Sequence, residues 1–107
     1  MLMPIQQPTI SFQQIRNLTE KWTWKDQSGI QVTGFNVPEY ARSTARQVPY
    51  FVKYVTGKGN YEQGEVITLK VDLRRHQRKV KFVKSNEIRI IRDYLIIEID
   101  GFRVITH

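Results

Sequence analysis

The sequence contains no cysteine, which excludes disulfide bonds and metal sites built from thiolates. Histidine is scarce, with only His76 and His107, and no spacing of histidine and carboxylate residues is typical of a metal site. We therefore predict no metal ion and no cofactor. No set of nucleophile, base and orienting group is apparent either, so we expect a protein that is not an enzyme.

Long hydrophobic runs are also missing. The longest, residues 94–97, has four residues, whereas a membrane-spanning helix needs about 20. Residues 1–8 contain prolines and glutamines and no basic residue, unlike a secretory signal peptide. These absences predict a soluble, cytoplasmic protein without a membrane partner.

A length of 107 residues fits one domain, and the 40% hydrophobic and 25% charged residues are ordinary globular values. Glutamine and proline dominate the beginning of the chain. We interpret residues 1–10 as a flexible N-terminal tail and residues 11–107 as a single β-rich domain.

Alternating apolar and polar residues predict several short strands in the first half. Residues 18–37 have the pattern of a hairpin with its turn at residues 26–29, and a strand is expected over residues 50–56, before a glycine loop at 57–60. Between these elements, residues 38–47 form the one predicted helix, with Pro38 in its first turn and Pro49 beyond its end. It is under three turns long and would be unstable alone.

The second half predicts two further hairpins. In residues 66–83 we expect Ile67, Leu69, Val71 and Leu73 on the buried face, continued by Val80 and Phe82 after a turn at residues 74–78. Residues 88–90 predict another strand. The dipeptide Asp100-Gly101 predicts a two-residue turn that places Ile99 opposite Phe102 and Glu98 opposite Arg103. The fold class is therefore mainly β: an antiparallel meander of about seven or eight short strands, closing into a small barrel or folding into a sandwich.

The net charge of +7 lies in one stretch. Residues 70–92 contain nine basic residues and two acidic ones, whereas basic and acidic residues balance in the remaining chain. The candidate nucleic-acid-binding residues are these nine: Lys70, Arg74, Arg75, Arg78, Lys79, Lys81, Lys84, Arg89 and Arg92. We expect the lysines at 70, 79 and 81 to point outward, and the arginines at 74, 75 and 78 to lie at the tip of the hairpin.

A positive ribbon suits a phosphate backbone, because binding releases condensed counterions without recognising a base sequence. The leading hypothesis is a non-enzymatic domain that binds DNA or RNA through phosphate contacts of the 70–84 hairpin. Tyr54 and Tyr61 flank the glycine loop and are candidates for base stacking, while Trp22 and Trp24 are expected in the core. The competing interpretation of the same lysines is that they only solvate and protect a sheet edge.

The alternative function is a structural or protein–protein interaction module, either an adaptor or an oligomeric assembly. An open sheet edge invites pairing with another chain, and the basic hairpin would then meet an acidic protein surface. Assembly into a homo-oligomer is compatible with this alternative.

Overall fold

The structure is a computed structural model that describes residues 8–11 and 14–105. Within these residues the protein is mainly β, with ten strands, one α-helix and two 3₁₀ turns. The strands are β1 (Thr9–Ser11), β2 (Trp22–Lys25), β3 (Gln31–Gly34), β4 (Arg46–Gln47), β5 (Tyr50–Val55), β6 (Tyr61–Asp72), β7 (Gln77–Phe82), β8 (Ile88–Arg92), β9 (Ile96–Ile99) and β10 (Phe102–Ile105). Helix α1 spans Ile15–Thr19, and the 3₁₀ turns span Glu39–Ala41 and Asp93–Leu95.

Two sheets form, of seven and of three strands. The larger has the order β1-β10-β9-β5-β6-β7-β8, and the smaller has the order β3-β2-β4. Strands β5 to β8 are the antiparallel meander expected from the sequence. After β8, the 3₁₀ turn Asp93–Leu95 leads into β9, which pairs with β5. In the described part of the chain the sheet does not close into a barrel, and β1 and β8 are its two edges.

The core lies on one side of the larger sheet. Alternate residues of β5 are buried, namely Tyr50, Val52 and Tyr54, and Val66, Val80 and Ile91 come from the next three strands. The cluster is completed by Ile96 and Ile99 of β9, Ile10 of β1, Ile15 of α1 and Val104 of β10. Burial of alternate residues in β5 follows from the period of two along a strand.

The prediction for the buried face of β6 was wrong in its first half. Val66 and Thr68 face the core, whereas Leu69, and Leu73 in the turn after β6, are exposed. Beyond Leu69 the prediction holds for Val71, which lies opposite buried Arg78. Both parities begin with an apolar residue, so alternation alone did not distinguish the two faces. A register shift between Thr68 and Lys70 then inserts Leu69 as a bulge. The hydroxyl of Tyr50 lies 2.8 Å from Thr68 Oγ1, which gives the buried threonine a polar partner.

The helix expected over residues 38–47 is reduced to the 3₁₀ turn Glu39–Ala41 and the hydrogen-bonded turns after it. Arg46 and Gln47 pair with β2 instead, as strand β4. A helix this short lacks the backbone hydrogen bonds needed for stability, and pairing with β2 supplies some of them. The α-helix of the described residues is α1, where the sequence had suggested that a strand begins at Leu18.

The boundary of the expected N-terminal tail also moves. Thr9 and Ile10 belong to β1, which runs parallel to β10 and places Ile10 beside Val104. Ile10 is buried in the core, which accounts for its pairing. The carbonyl of Pro8 accepts a hydrogen bond of 2.9 Å from the Arg103 N–H, and the rest of the expected tail, residues 1–7, lies outside the described residues. None of the helical segments within residues 8–11 and 14–105 is long and apolar enough to cross a bilayer.

The two predicted turns with positive φ are confirmed. Asp100 and Gly101 have φ of 50° and 82°, and Ile99 lies opposite Phe102 with Glu98 opposite Arg103, as expected. In the first hairpin, Gly29 has φ of 83°, and Asp26 Oδ1 accepts hydrogen bonds from the backbone N–H groups of Ser28 and Ile30. Both turns therefore follow from local sequence.

Candidate nucleic-acid interface

Strands β6, β7 and β8 display a face that points away from the core. Residues directly opposite each other in an antiparallel pair project to the same side, so the register defines this face. Lys70 lies opposite Lys79, which lies opposite Ile90. Ile67 lies opposite Lys81, which lies opposite Ile88. We call this side of the three strands the outer face; its residues are Ile67, Lys70, Asp72, Gln77, Lys79, Lys81, Ile88, Ile90 and Arg92.

Four cations lie on the outer face, as the sequence predicted for the three lysines. Lys70, Lys79 and Arg92 are exposed, and Lys81 is half-buried. The opposition of Lys70 and Lys79 is unfavourable, because like charges directly across a strand pair repel. The acid on this face is Asp72, whose Oδ2 lies 3.9 Å from Arg75 Nε. The outer face is therefore strongly positive.

Further cations lie at both ends of the β6–β7 ladder. Arg74 and Arg75 are exposed in the turn between β6 and β7, and Lys84 is exposed in the turn after β7. The first turn includes His76 with φ of 51°, and the His76 ring lies 5.1 Å from the ring of Tyr94. The positive surface thus extends along the length of the hairpin.

Arg78 does not belong to this surface. Its side chain is 4% exposed, and its Nε donates a hydrogen bond of 2.7 Å to Asp93 Oδ1. Nη1 donates to Thr19 Oγ1 at 2.5 Å. Burial opposes the charge, but the hydrogen bond and negative charge of Asp93 outweigh it, so the pKa of Arg78 is raised. The prediction that Arg78 contacts phosphate was wrong because Arg78 shares the parity of buried Val80.

Arg89 is also on the opposite side from the lysines, since it lies across from Val80. Its guanidinium donates to Glu87 Oε2 and, at 3.0 Å, to the carbonyl of Ile88. Arg89 Nε lies 3.9 Å from Glu62 Oε2. Two neighbouring carboxylates thus offset the charge of Arg89, which contributes little to the positive surface.

The two candidate stacking residues have different environments. Tyr54 is buried in the core, and its hydroxyl donates a 2.5 Å hydrogen bond to Glu62 Oε2. Burial and that hydrogen bond raise the pKa of Tyr54. A buried ring offers no face to a base, so Tyr54 is not a stacking platform. Tyr61 is 69% exposed, with Lys53 Nζ 5.4 Å from its ring centroid, and remains a candidate.

A second basic and aromatic site, which the sequence analysis did not predict, lies on the smaller sheet. Trp24 is half-buried and lines an open pocket of about 510 Å³ beside Lys25 and Arg46. Its ring packs over β3 because Gly34 has no side chain; a Cβ there would lie 3.1 Å from Trp24 Cη2. Gly34 lies opposite Trp22 and diagonally across from Trp24, so a glycine in the strand paired with two tryptophans was the available signal for this arrangement.

Within the described residues, no group of three or more histidine, aspartate and glutamate residues could hold a metal ion. No protein-family model matches the chain, and comparisons with curated proteins and with solved structures gave no match.

Proposed function

We propose that this protein binds nucleic acid through phosphate contacts of the outer face. The observation that supports the proposal most directly is the opposition of Lys70 and Lys79 on adjacent strands. This arrangement costs sheet stability in the free protein. An anionic partner would remove the cost, and phosphates are the anions that a row of separated cations suits.

The spacing of the cations fits several phosphates. Lys79 and Lys81 are two residues apart on β7, which separates their Cα atoms by about 7 Å, and Lys70 is on the adjacent strand, about 5 Å away from β7. Arg74 and Arg75 extend the contact at the hairpin tip, where arginine can hold a phosphate with two hydrogen bonds. Contacts of this kind position a strand without recognising bases, so binding would be largely independent of sequence.

We infer that binding takes place in the cytoplasm, with which a chain without cysteine is compatible. An acidic protein surface is the alternative partner for the same cations. The salt dependence of binding to defined oligonucleotides separates the two possibilities.

The first experiment is a fluorescence anisotropy titration with labelled single- and double-stranded DNA and RNA at 50 to 300 mM salt. Contacts with four or five phosphates give a slope of log K against log salt of roughly −3 to −4.5. A response of this size supports the proposal, and the preferred oligonucleotide identifies the substrate class. Absence of binding to every oligonucleotide at 50 mM salt would overturn it.

The second experiment compares charge reversals. Lys79→Glu combined with Arg75→Glu removes two phosphate contacts, and we expect affinity to fall at least about tenfold and the salt slope to decrease by about two. The matched control combines Arg42→Glu with Arg103→Glu, which changes the net charge equally at exposed residues outside the hairpin and outside the Trp24 pocket. Equal losses in both double variants would show that net charge, and not the outer face, governs binding.

A further inference from the structure

Strand β8 is an edge of the larger sheet in the described residues, and its hydrogen-bonding pattern identifies the groups that point outward. The N–H of Phe82 donates to the Glu87 carbonyl at 2.9 Å, and the N–H of Asp93 donates to the His76 carbonyl at 2.8 Å. Hydrogen-bonded pairs alternate along an antiparallel ladder. Arg89 and Ile91 therefore bond to β7, whereas the N–H and C=O groups of Ile88, Ile90 and Arg92 point away from the sheet.

A groove of about 860 Å³ runs along this edge. One wall is β8 itself, and the opposite wall includes the turn between β5 and β6 and Leu95 of the 3₁₀ turn. The outward backbone groups of Ile90 and Arg92 thus border a space large enough for several residues of extended chain. Proteins protect unpaired sheet edges with a proline, a bulge, a covering segment or charged side chains. Strand β8 contains no proline or bulge, and its charges, Arg89 and Arg92, repel a basic strand but not an acidic one.

The side chains of β8 offer an apolar contact on the outer face. Ile88 is 49% and Ile90 is 66% exposed. A strand added at this edge would place alternate side chains beside these two isoleucines, which buries apolar surface in addition to forming the backbone ladder.

The charge of the groove identifies the partner. Lys58, Arg89 and Arg92 line it with one acid, Glu62, which lies 3.9 Å from Arg89. Because neighbouring carboxylates offset Arg89, the excess positive charge of the groove comes from Lys58 and Arg92. A second copy of β8 would bring two further arginines into this positive space. A nucleic acid lacks the regular donors and acceptors that complete a β ladder. An extended acidic segment would pair with the outward backbone groups of β8 and would also complement the positive charge of the groove.

We propose that β8 binds an extended segment of a partner protein, with alternating acidic and apolar residues, as an additional strand. This interaction differs from the nucleic-acid binding proposed above, because backbone groups at the β8 edge form it, whereas cationic side chains form the phosphate contacts. The two surfaces meet at Arg92, which offers its backbone to the groove and its side chain to the outer face.

The probe is a labelled seven-residue peptide that alternates glutamate and valine, titrated into the full chain. The control is the same peptide N-methylated at alternate residues, which removes the N–H groups needed for a ladder and keeps the charges. We expect the unmodified peptide to bind at least tenfold more tightly. Equal affinities, or no binding at millimolar concentration, would overturn the proposal.

Amide hydrogen exchange locates the binding. The peptide should slow exchange at Ile90, whose N–H points out of the sheet in the free protein. Two outcomes would overturn the proposal. If an oligonucleotide slows exchange at Ile90, nucleic acid occupies the edge; if light scattering shows a dimer and Ile90 is protected without peptide, a second copy of the chain occupies it.

The variant Ile90→Thr tests the apolar contact without changing the charge beside the acidic peptide. It should weaken peptide binding at least fivefold and lower oligonucleotide affinity less than twofold, because the outer face contacts phosphate through its cations and Ile90 supplies none. The double variant Lys79→Glu with Arg75→Glu should weaken oligonucleotide binding and leave peptide binding within about twofold. If both variants lose both ligands equally, the two surfaces are not separate and the proposal fails.

Discussion

Arg78 and Asp93 form a buried ion pair that fastens strand β7 to the 3₁₀ turn preceding β9. Nε lies 2.7 Å from Oδ1, and Nη2 lies 3.4 Å from Oδ2. The third donor, Nη1, reaches Thr19 at the end of α1, so one guanidinium connects three segments that are distant in sequence. Each charge compensates the other, because burying either one alone would cost a large free energy of desolvation.

Removal of one partner should therefore be strongly destabilising. We expect Asp93→Ala to lower the free energy of unfolding by about 3–5 kcal/mol, because the Arg78 charge remains buried without its counterion. Urea denaturation followed by circular dichroism measures the change. The control is Asp72→Ala, whose exposed partner Arg75 is 3.9 Å away, where a loss of at most about 1 kcal/mol is expected. Similar losses in both variants would contradict the structural role of the buried pair.

Gly64 should resist substitution because Phe82 packs against it. A Cβ at this position would lie 2.8 Å from Phe82 Cε1 and 2.9 Å from Cδ1. We expect Gly64→Ala to displace the ring and cost about 1–3 kcal/mol. Gly57→Ala is the matched control, since a Cβ there meets no atom within 4 Å. Thermal unfolding measures the stability of both variants. If Gly64→Ala loses no more stability than Gly57→Ala, Phe82 does not pack against Gly64.

Tyr54 should make the fold sensitive to alkaline pH. Burial and the hydrogen bond to Glu62 raise the pKa of Tyr54 above its usual value of 10.0, and burial also raises the pKa of Tyr50. Between the unfolded and folded pKa values the unfolded chain has lost a proton that the folded chain keeps, so stability falls as pH rises above about 10.

The variant Tyr54→Phe isolates this effect. We expect its melting temperature to fall less steeply between pH 9 and 11 than that of the unmodified protein, although its stability at pH 7 is lower. Tyr61→Phe, which removes an exposed phenol, is the control. An identical alkaline slope with and without Tyr54 would contradict the assignment.

The lysine pair of the outer face should show opposite effects on stability and binding. Lys79→Thr removes the repulsion with Lys70 and introduces a residue favoured in strands, so we expect stability to rise by a few tenths of a kcal/mol to about 1 kcal/mol at low salt. Oligonucleotide affinity should fall in the same variant. At 1 M salt, where the Debye length is about 3 Å, the repulsive part of the gain should vanish. Destabilisation at low salt would show that the two lysines do not repel.

The local sequence determined features that depend on neighbouring residues. Asp100 and Gly101 specified a turn with positive φ, and that turn fixed the register of β9 and β10. The alternation in residues 50–55 correctly placed one face of β5 in the core. The outward direction of Lys79 and Lys81 followed from the same period of two.

Tertiary structure determined the features that depend on distant partners. Residues 38–47 became a turn and a short strand because β2 was available to pair with Arg46. The sequence predicted Tyr54 as a stacking residue, but the fold buries its ring and places its hydroxyl beside Glu62. In the sequence, Arg78 cannot be distinguished from Arg74 and Arg75. In the structure it is buried and bonded to Asp93 and Thr19, whereas the other two are exposed.

By itself, the sequence determined that the chain forms a mainly β fold and that its excess positive charge lies in residues 70–92. Composition and a period of two are properties of single residues and their neighbours, so no knowledge of packing was needed. Only the tertiary structure determined which cations are exposed, which face of β6 is buried, and that β8 is an edge of the sheet formed by residues 8–11 and 14–105. Those outcomes depend on strand order and on a bulge at Leu69, which arise from contacts between residues far apart in the chain.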